Sequence, residues 1–297
     1  MILGLVVFVG FIIFIFSDDE STAAQQLRGA TSALSPPSLA FIKTKSDVQQ
    51  PPPPVVHWLM NNLTTSSDPV ANRETVLILT PIARFYQEYW DNLQKLNYPH
   101  DLISLGFILP KGKDGNQATA QLQEAVQKTQ SGPAKKRFAS VTILRQDTES
   151  PLQSQNEAER HKMENQKARR AAMSKARNSL LFTTLGPTIS WVLWLDSDIV
   201  ETPPTLIQDL ASHNKPVIVP NCFQRYQNKE TNRADVRPYD FNSWVDSPTA
   251  QQMAKNMGND DILLEGYNDM ATYRSLMAYM TEENGDPGKE VKLDGVG

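Results

Sequence analysis

From residue 74 onward, short runs of apolar residues alternate with amphipathic segments. The apolar runs predict strands at 75–80, 101–109, 138–144, 191–195 and 217–219. Apolar residues at three- and four-residue spacing predict helices at 85–96, 118–129, 157–185 and 203–212. Strands that alternate with helices are typical of a mostly parallel sheet covered on both faces. The sequence therefore predicts an α/β fold, with one folded domain over 74–297.

The chain begins with an uncharged apolar segment. Residues 1–16 fall just short of the length that spans a bilayer, roughly 17–25 residues. We interpret them as a transmembrane signal anchor with a lumenal C-terminal side; a signal peptide cleaved near Ala23 or Ala24 is the alternative. Residues 17–73 are rich in Pro, Ser, Thr and Gln, which is typical of a stem. Within the stem, Asn62 begins a glycosylation sequon, which a lumenal location would make usable.

Composition excludes some classes of protein. The net charge of −4 argues against a nucleic-acid-binding protein. The single cysteine, Cys222, permits no intrachain disulfide and no cysteine-rich metal site, and we expect it to be a buried structural thiol.

Two carboxylates follow the most apolar of the predicted strands. Asp196 and Asp198 come directly after 191–195, and in an extended chain their spacing puts both side chains on one face. Ligands of open α/β sheets bind beyond the carboxyl ends of strands, and two hard oxygen donors suit Mg²⁺ or Mn²⁺ with a diphosphate. We therefore predict a site for a sugar nucleotide and its metal. Alternatively, the two acids only end the strand before a helix that Thr202 caps and Pro203 begins.

A basic helix and an aromatic loop add candidates. On the predicted helix at 157–185 most cations should be solvated, but we expect at least one of Arg169, Arg170 and Arg177 to reach a diphosphate beside Asp196. The segment 237–244 combines aromatic residues with Asp240, which suits sugar recognition; alternatively, its Phe241 and Trp244 belong to the core.

Several strings of residues resemble one known family. The string 193–203, which contains Asp196 and Asp198, is similar to the metal-site segment of the fungal mannan-polymerase α-1,6-mannosyltransferases. Other similar strings lie at 84–90, 98–107, 166–173, 177–178, 219–222, 265–267 and 293–297. Within the family, 84–90 most resembles the subunit shared by both mannan-polymerase complexes.

The resemblance implies a type II, single-pass Golgi membrane protein with a lumenal GT-A domain. It implies GDP-mannose as donor, Mn²⁺ or Mg²⁺ as cofactor, an α-mannoside chain of an N-linked glycan as acceptor, and retention at the anomeric carbon. It also implies other mannan-polymerase subunits as partners.

By match to the family's motifs, the resemblance also implies roles for individual residues. Asp196 and Asp198 become the metal site, and Arg169 and Asp240 become candidates for the catalytic site. The implied donor-binding residues are Thr80, Pro81, Arg84, Arg170, Arg177 and Asp196.

The chain departs from the family at both ends. No cytosolic tail precedes 1–16, and family members continue past 293–297 into further strands and a histidine that helps hold the metal. None of the four histidines (His57, His100, His161 and His213) lies in that position. We interpret the sequence as truncated at both ends and expect no transfer by residues 74–297 alone.

Three functions remain open at this point. A mannosyltransferase is the leading interpretation, because both Asp196 and Asp198 are retained. A membrane-anchored, non-catalytic assembly subunit of the same kind of complex is the alternative. A metal-dependent hydrolase is disfavoured, because no histidine cluster that would serve as general base accompanies the acids.

Overall fold

The computed structural model describes residues 55–57, 65–146, 163–259, 261–265, 267, 270–284 and 290–296. The predicted anchor at 1–16 and Asn62 lie outside these residues. The chain divides into 1–57 and 58–297, and all the helices and strands given below belong to the second part. Within the described ranges, no helix has the length and apolar character needed to cross a membrane.

Eight strands and six α-helices make up the described part of the domain. The strands are β1 Val76–Pro81, β2 Ile103–Pro110, β3 Ser140–Gln146, β4 Trp191–Trp194, β5 Phe223–Gln227, β6 Ala234–Pro238, β7 Trp244–Asp246 and β8 Arg274–Leu276. The helices are α1 Gln87–Gln94, α2 Lys113–Gln130, α3 Met163–Thr184, α4 Leu206–Ser212, α5 Pro248–Asn256 and α6 Met277–Asn284.

The first four strands form one parallel sheet in the order β3-β2-β1-β4. β1 lies between two neighbours, with Val76 level with Ile103 on one side and with Trp191 on the other. Each neighbouring pair of strands is parallel because a helix returns the chain to the starting edge between them. The predicted α/β class with a mostly parallel sheet is therefore confirmed.

Both faces of the sheet are covered, because successive side chains of β1 point in opposite directions. Val76 and Ile78 pack on one face in a cluster with residues of α1, α2 and α4. Leu77 and Leu79 pack on the other face with Leu180 of α3. α1 buries Tyr89 and Leu93 as its apolar stripe predicts.

Three local predictions are wrong. Residues 217–219 form no strand; the chain instead makes an antiparallel hairpin of β5 and β6, which the sequence pattern did not predict. α4 begins at Leu206 with Thr205 in the N-cap position, not at Pro203. Thr202 does not cap the helix, because its backbone N–H and its hydroxyl both donate to Oδ1 of Asn92, at 3.0 and 3.1 Å.

β4 is also less buried than its apolar sequence predicts. Trp191 and Trp194 are half-buried and Val192 is 39% exposed. Among the described strands, only β1 pairs with β4, so β4 forms one edge of this sheet.

Packing onto the sheet starts before Glu74, the predicted start of the domain. Pro69 is buried, and its carbonyl accepts hydrogen bonds from the Tyr98 hydroxyl at 3.1 Å and from the Glu74 N–H at 2.9 Å. The Tyr98 hydroxyl also lies 2.5 Å from the Glu74 carbonyl oxygen. The end of the predicted stem is therefore held against the folded domain.

Candidate functional site

The site lies where the order of the strands reverses. β1 is followed in the sheet by β2 and β3 on one side and by β4 on the other. Leu79 is level with Trp194, and the Leu195 N–H donates to the Leu79 carbonyl at 3.1 Å. Pro81 and Asp196 are thus brought to the same level at the carboxyl ends of neighbouring strands. In open α/β sheets this switch point is where ligands bind.

Asp196 and Asp198 lie in a turn at the end of β4, and both are exposed. The Ile199 N–H donates to the Asp196 carbonyl at 3.1 Å, which closes a four-residue turn. The chain is therefore not extended here, so the prediction that an extended chain puts both side chains on one face is wrong. The predicted position, at the carboxyl end of an apolar strand, is confirmed.

Arg177 links α3 to this turn. One guanidinium nitrogen of Arg177 lies 2.9 Å from Oδ1 of Asp196. The guanidinium carbon also lies 5.4 Å from the centre of the Trp194 ring, so the side chain rests on β4. Nε of Arg177 is buried and has no hydrogen-bond partner within the described part of the chain. A fixed cation therefore stands beside Asp196.

Arg170 links the same helix to the loop between β6 and β7. One of its nitrogens donates to Oδ1 of Asn242 at 3.3 Å. Asp240 accepts from the backbone and side-chain nitrogens of Asn242, at 2.8 and 3.2 Å, and from the Ser243 hydroxyl at 3.3 Å. The Asp240 carboxylate is thus held in an Asx turn whose other end is tied to α3.

The charges of three site carboxylates act on Cys222. Partial burial and the negative charges of Asp240, Asp196 and Asp198 all raise the pKa of its thiol. The thiol is free and only partly buried, so the prediction of a buried structural cysteine is wrong. Sequence reasoning missed both Cys222 and Asn242 as neighbours of the site. The spacing of Asp240 and Asn242, typical of an Asx turn, was the available signal.

The remaining predicted site residues differ in burial. Thr80 is buried, and its hydroxyl lies 2.5 Å from the hydroxyl of Tyr89, so it is turned into the core. Burial raises the pKa of Tyr89, and the charge of Asp196 adds to the effect, which keeps the phenol neutral. Pro81 is half-buried at the end of β1, and Arg84 is exposed in the following loop. Arg169 is half-buried on α3.

The carboxylate pair has the donor chemistry for a hard divalent cation. In the part of the chain that the structure describes, no group of three or more His, Cys, Asp or Glu side chains is arranged to hold a metal. Two exposed carboxylates beside an arginine fit an ion that takes its other oxygen ligands from a diphosphate and water, as Mg²⁺ commonly does.

The two aromatic residues of the 237–244 segment have packing roles. Phe241 stacks on Tyr279 with ring centres 5.7 Å apart. The Arg274 guanidinium lies 3.9 Å from the centre of the Trp244 ring, and Gly295 contacts Trp244 through backbone hydrogen bonds. Both rings are only half-buried and belong to neither buried cluster of the sheet, so the structure does not decide between the two interpretations of Phe241 and Trp244.

This fold and site define an α/β domain with acidic and cationic side chains at the switch point of a parallel sheet. The chain belongs to the Anp1 family, whose model matches residues 54–297.

Three similar proteins are all named as subunits of mannan polymerase complexes. The chain is 59% identical over 239 residues to the "Mannan polymerase complex subunit mnn9" of Schizosaccharomyces pombe, covering 80% of this chain and 68% of that protein. It is 51% identical over 247 residues to the protein of the same name from Candida albicans, covering 83% and 67%. It is 37% identical over 229 residues to the "Mannan polymerase II complex anp1 subunit" of Schizosaccharomyces pombe, covering 76% and 52%. The resemblance found in the sequence is confirmed.

Proposed function

We propose that this chain is a subunit of a mannan polymerase complex and is itself a metal-dependent mannosyltransferase with a GT-A fold. In this proposal it transfers mannose from GDP-mannose to the α-1,6-linked mannan backbone of an N-linked glycan, with retention. The names of its relatives support membership of such a complex. The observation that carries the proposed activity is the ion pair of Arg177 with Asp196, beside Asp198, at the switch point.

The diphosphate of the donor would lie between anionic and cationic side chains. Asp196 and Asp198 would hold Mn²⁺ or Mg²⁺, which offsets the negative charge that develops on the leaving GDP. Arg177 orients Asp196 and presents a planar guanidinium whose geometry suits phosphate oxygens. The end of β1 and the next loop would form another part of the donor site, with Pro81, Arg84 and the backbone of Thr80, whose side chain is turned into the core.

The mannose unit would lie near the Asp240 loop. Asp240 is oriented by Asn242, and Arg170 ties Asn242 to the same helix that carries Arg177. Helix α3 therefore couples the position of the diphosphate to the position of the carboxylate beside the sugar. Arg169, on the same helix, is the second candidate for the transfer site.

We place this function in the Golgi membrane, with residues 1–16 as anchor and Asn62 glycosylated in the lumen. Resistance to carbonate extraction and a glycosidase-sensitive shift that Asn62→Gln removes are the expected results. A secreted product that lacks residues 1–24 would contradict the anchor.

The activity is tested by transfer from GDP-mannose with Mn²⁺ to an α-1,6-mannobiose acceptor, read by mass, with the full chain purified together with its partner subunits. Asp196→Asn and Asp198→Asn should each lower the rate by about a hundredfold or more. The reason is that the metal would no longer stabilise the charge that develops on the leaving GDP, a contribution of several kcal/mol to lowering the barrier. Asp209→Asn is the matched control and should transfer at the wild-type rate. Asp209 is an exposed acid on α4 that accepts a hydrogen bond from the Thr205 hydroxyl.

A non-catalytic assembly subunit is the second candidate, since the names of the relatives describe membership of a complex. Unchanged transfer in both site variants, together with normal recovery of the partner subunits, would favour that role over the proposed one.

A further inference from the structure

The β5–β6 hairpin leads away from the carboxylate region. Phe223 pairs with Pro238, and the pairing continues beyond the strands because the Tyr239 N–H donates to the Cys222 carbonyl at 2.9 Å. Side chains alternate between the two faces of a hairpin, so every second residue shares the face of Cys222. We name this the Cys222 face, and its members are Cys222, Gln224, Tyr226, Asp235, Arg237 and Tyr239.

The polar groups of the Cys222 face are held in fixed positions by one another. Arg237 donates from two nitrogens to Oε1 of Gln224, its partner across the hairpin, at 2.9 and 2.7 Å. The Arg237 guanidinium carbon lies 5.1 Å from the centre of the Tyr226 ring. The Tyr226 hydroxyl lies 3.2 Å from Oδ2 of Asp235, its own cross-strand partner.

Asp235 is held as a carboxylate acceptor. The backbone N–H of Val236, the side chain of Asn228 and the Tyr226 hydroxyl all lower the pKa of Asp235. Tyr239, nearest to Asp240, is 54% exposed. The result is a row of two tyrosine rings, a guanidinium, an amide and a carboxylate, which starts at the proposed site of transfer. Asp235, Arg237 and Tyr239 are exposed, whereas Gln224 and Tyr226 are half-buried.

This combination is the chemistry that binds a chain of hexoses. Sugar hydroxyls need planar donors and acceptors in fixed positions, and the C–H faces of sugar rings pack on aromatic rings. The row from Cys222 to Tyr226 extends about 13 Å at the rise of a β-strand, which is longer than one hexose ring. Tyr and Arg are also enriched at subunit interfaces, whereas a carboxylate such as that of Asp235 is depleted at their cores.

We propose that the Cys222 face of the hairpin binds the acceptor, as an extended oligomannoside chain whose growing end points towards Asp240. The proposal rests on the proposed mannosyltransferase function. Arg237 is already engaged by Gln224 and Tyr226, so it serves as an oriented donor to hydroxyls and not as a diphosphate ligand.

The opposite face of the same hairpin provides a matched control. Phe223 lies on that face and is 55% exposed, close to the exposure of Tyr239. Removing either ring changes an equally exposed aromatic residue of one hairpin, so a general loss of hairpin structure would affect both variants alike. Arg237→Lys adds a conservative variant that retains the charge but loses the planar fork.

The experiment is a titration of the full chain with linear α-1,6-mannotetraose, without donor, followed by ligand NMR. Tyr239→Ala and Arg237→Ala should each raise the Kd about tenfold, as expected for the loss of a ring contact or a charged hydrogen bond. The Kd of Arg237→Lys should lie between those of wild type and Arg237→Ala, and the Kd of Phe223→Ala should stay within about twofold of the wild-type value. The affinity for GDP with Mn²⁺ should be the same in all four variants.

Other results of this experiment would overturn either the acceptor site or the proposed catalytic activity. If wild type does not bind the tetrasaccharide, or binds it equally well in the Cys222-face variants, the inference is overturned. If those variants lose partner subunits on purification while retaining the sugar, the face is a protein interface and the inference is again overturned. Tetrasaccharide binding that depends on Tyr239 and Arg237, in a protein that transfers no mannose, would support the glycan site and overturn only the proposed catalytic activity.

Discussion

Arg177 and Asp196 form an ion pair whose value lies in geometry more than in stability. Their side chains are 31% and 53% exposed, and ion pairs in such positions contribute about 0–1 kcal/mol to folding. The pair nevertheless fixes the direction of a carboxylate that is proposed to hold a metal. Outer contacts of this kind orient ligands, and losing one commonly costs about 10–100-fold in metal affinity or activity.

Arg177→Gln should therefore lower transfer by at least about tenfold and change the free energy of unfolding by less than about 1 kcal/mol. Arg73→Gln is the control, because Arg73 makes a pair of the same 2.9 Å length with Asp101 on a more exposed surface. Rates and denaturant unfolding would be measured for both. Equal transfer by the two variants would show that Arg177 has no part in the site.

Gly295 is required by the close approach of the Trp244 ring. A Cβ at this position would lie within 3.0 Å of three atoms of the Trp244 ring, Cζ2, Cε2 and Cη2. Trp244 is also held by the Arg274 guanidinium, so the ring cannot move freely away. The segment 290–296 consequently packs against β7 through a residue without a side chain.

Gly295→Ala should destabilise the domain by about 1–3 kcal/mol, the usual cost of overpacking. Gly186→Ala is the control, because no atom lies within 4 Å of the added Cβ there. The measurement is denaturant unfolding of the two variants against wild type. Identical midpoints for Gly295→Ala and wild type would mean that 290–296 does not pack on Trp244 in solution.

At the scale of elements, Tyr98 joins the segment before β1 to the sheet. Burial, with a smaller effect of Glu74, raises the pKa of Tyr98 to about 12. An unfolded tyrosine titrates near about 10. Because the folded-state pKa is the higher one, the stabilisation is complete below about pH 10 and is lost as the pH rises towards 12.

The free energy of unfolding should therefore fall between pH 10 and about 12, and fall less steeply in Tyr98→Phe. Tyr89 contributes to the same alkaline loss, since its pKa is also raised, so the variant should retain part of the slope. Chemical denaturation at several alkaline pH values measures the difference. Parallel curves for Tyr98→Phe and wild type would assign the alkaline loss to other groups.

The elements that sequence reasoning predicted share one physical property. β1, β2 and the amphipathic stripe of α1 bury their apolar side chains almost completely, so hydrophobic periodicity records them directly. The β5–β6 hairpin was missed because its strands are largely exposed and are held by cross-strand polar pairs, which leave no apolar alternation. Val217 is 72% exposed, so its apolar character predicted a strand where none exists.

A different reason limits what could be predicted of the site: most of its contacts join residues that are far apart in the sequence. Asp196 and Asp198 were found because they follow a run of apolar residues, which is a local signal. The hydrogen bond from Arg170 to Asn242 joins residues 72 positions apart, and the charges that act on Cys222 include those of Asp196 and Asp198, more than 20 positions earlier in the chain. Contacts made through space between separate elements leave no pattern in one sequence.

For the whole molecule, the consequence is a site assembled from three separate stretches of chain. The end of β4 supplies the carboxylate pair, α3 supplies Arg170 and Arg177, and the loop after β6 supplies Asp240. Because α3 contacts both other parts, it is the element that sets the distance between the proposed diphosphate site and the proposed sugar site. The central claim is that this assembled arrangement binds a nucleoside diphosphate together with a divalent cation.

The most direct test is calorimetric titration of the full chain with GDP-mannose, with and without Mn²⁺. We predict that Mn²⁺ strengthens binding by at least about tenfold, that Asp198→Asn removes this gain, and that Asp209→Asn retains it. Affinity that is the same with and without the ion, or a gain that Asp198→Asn retains in full, would contradict the assignment of this site.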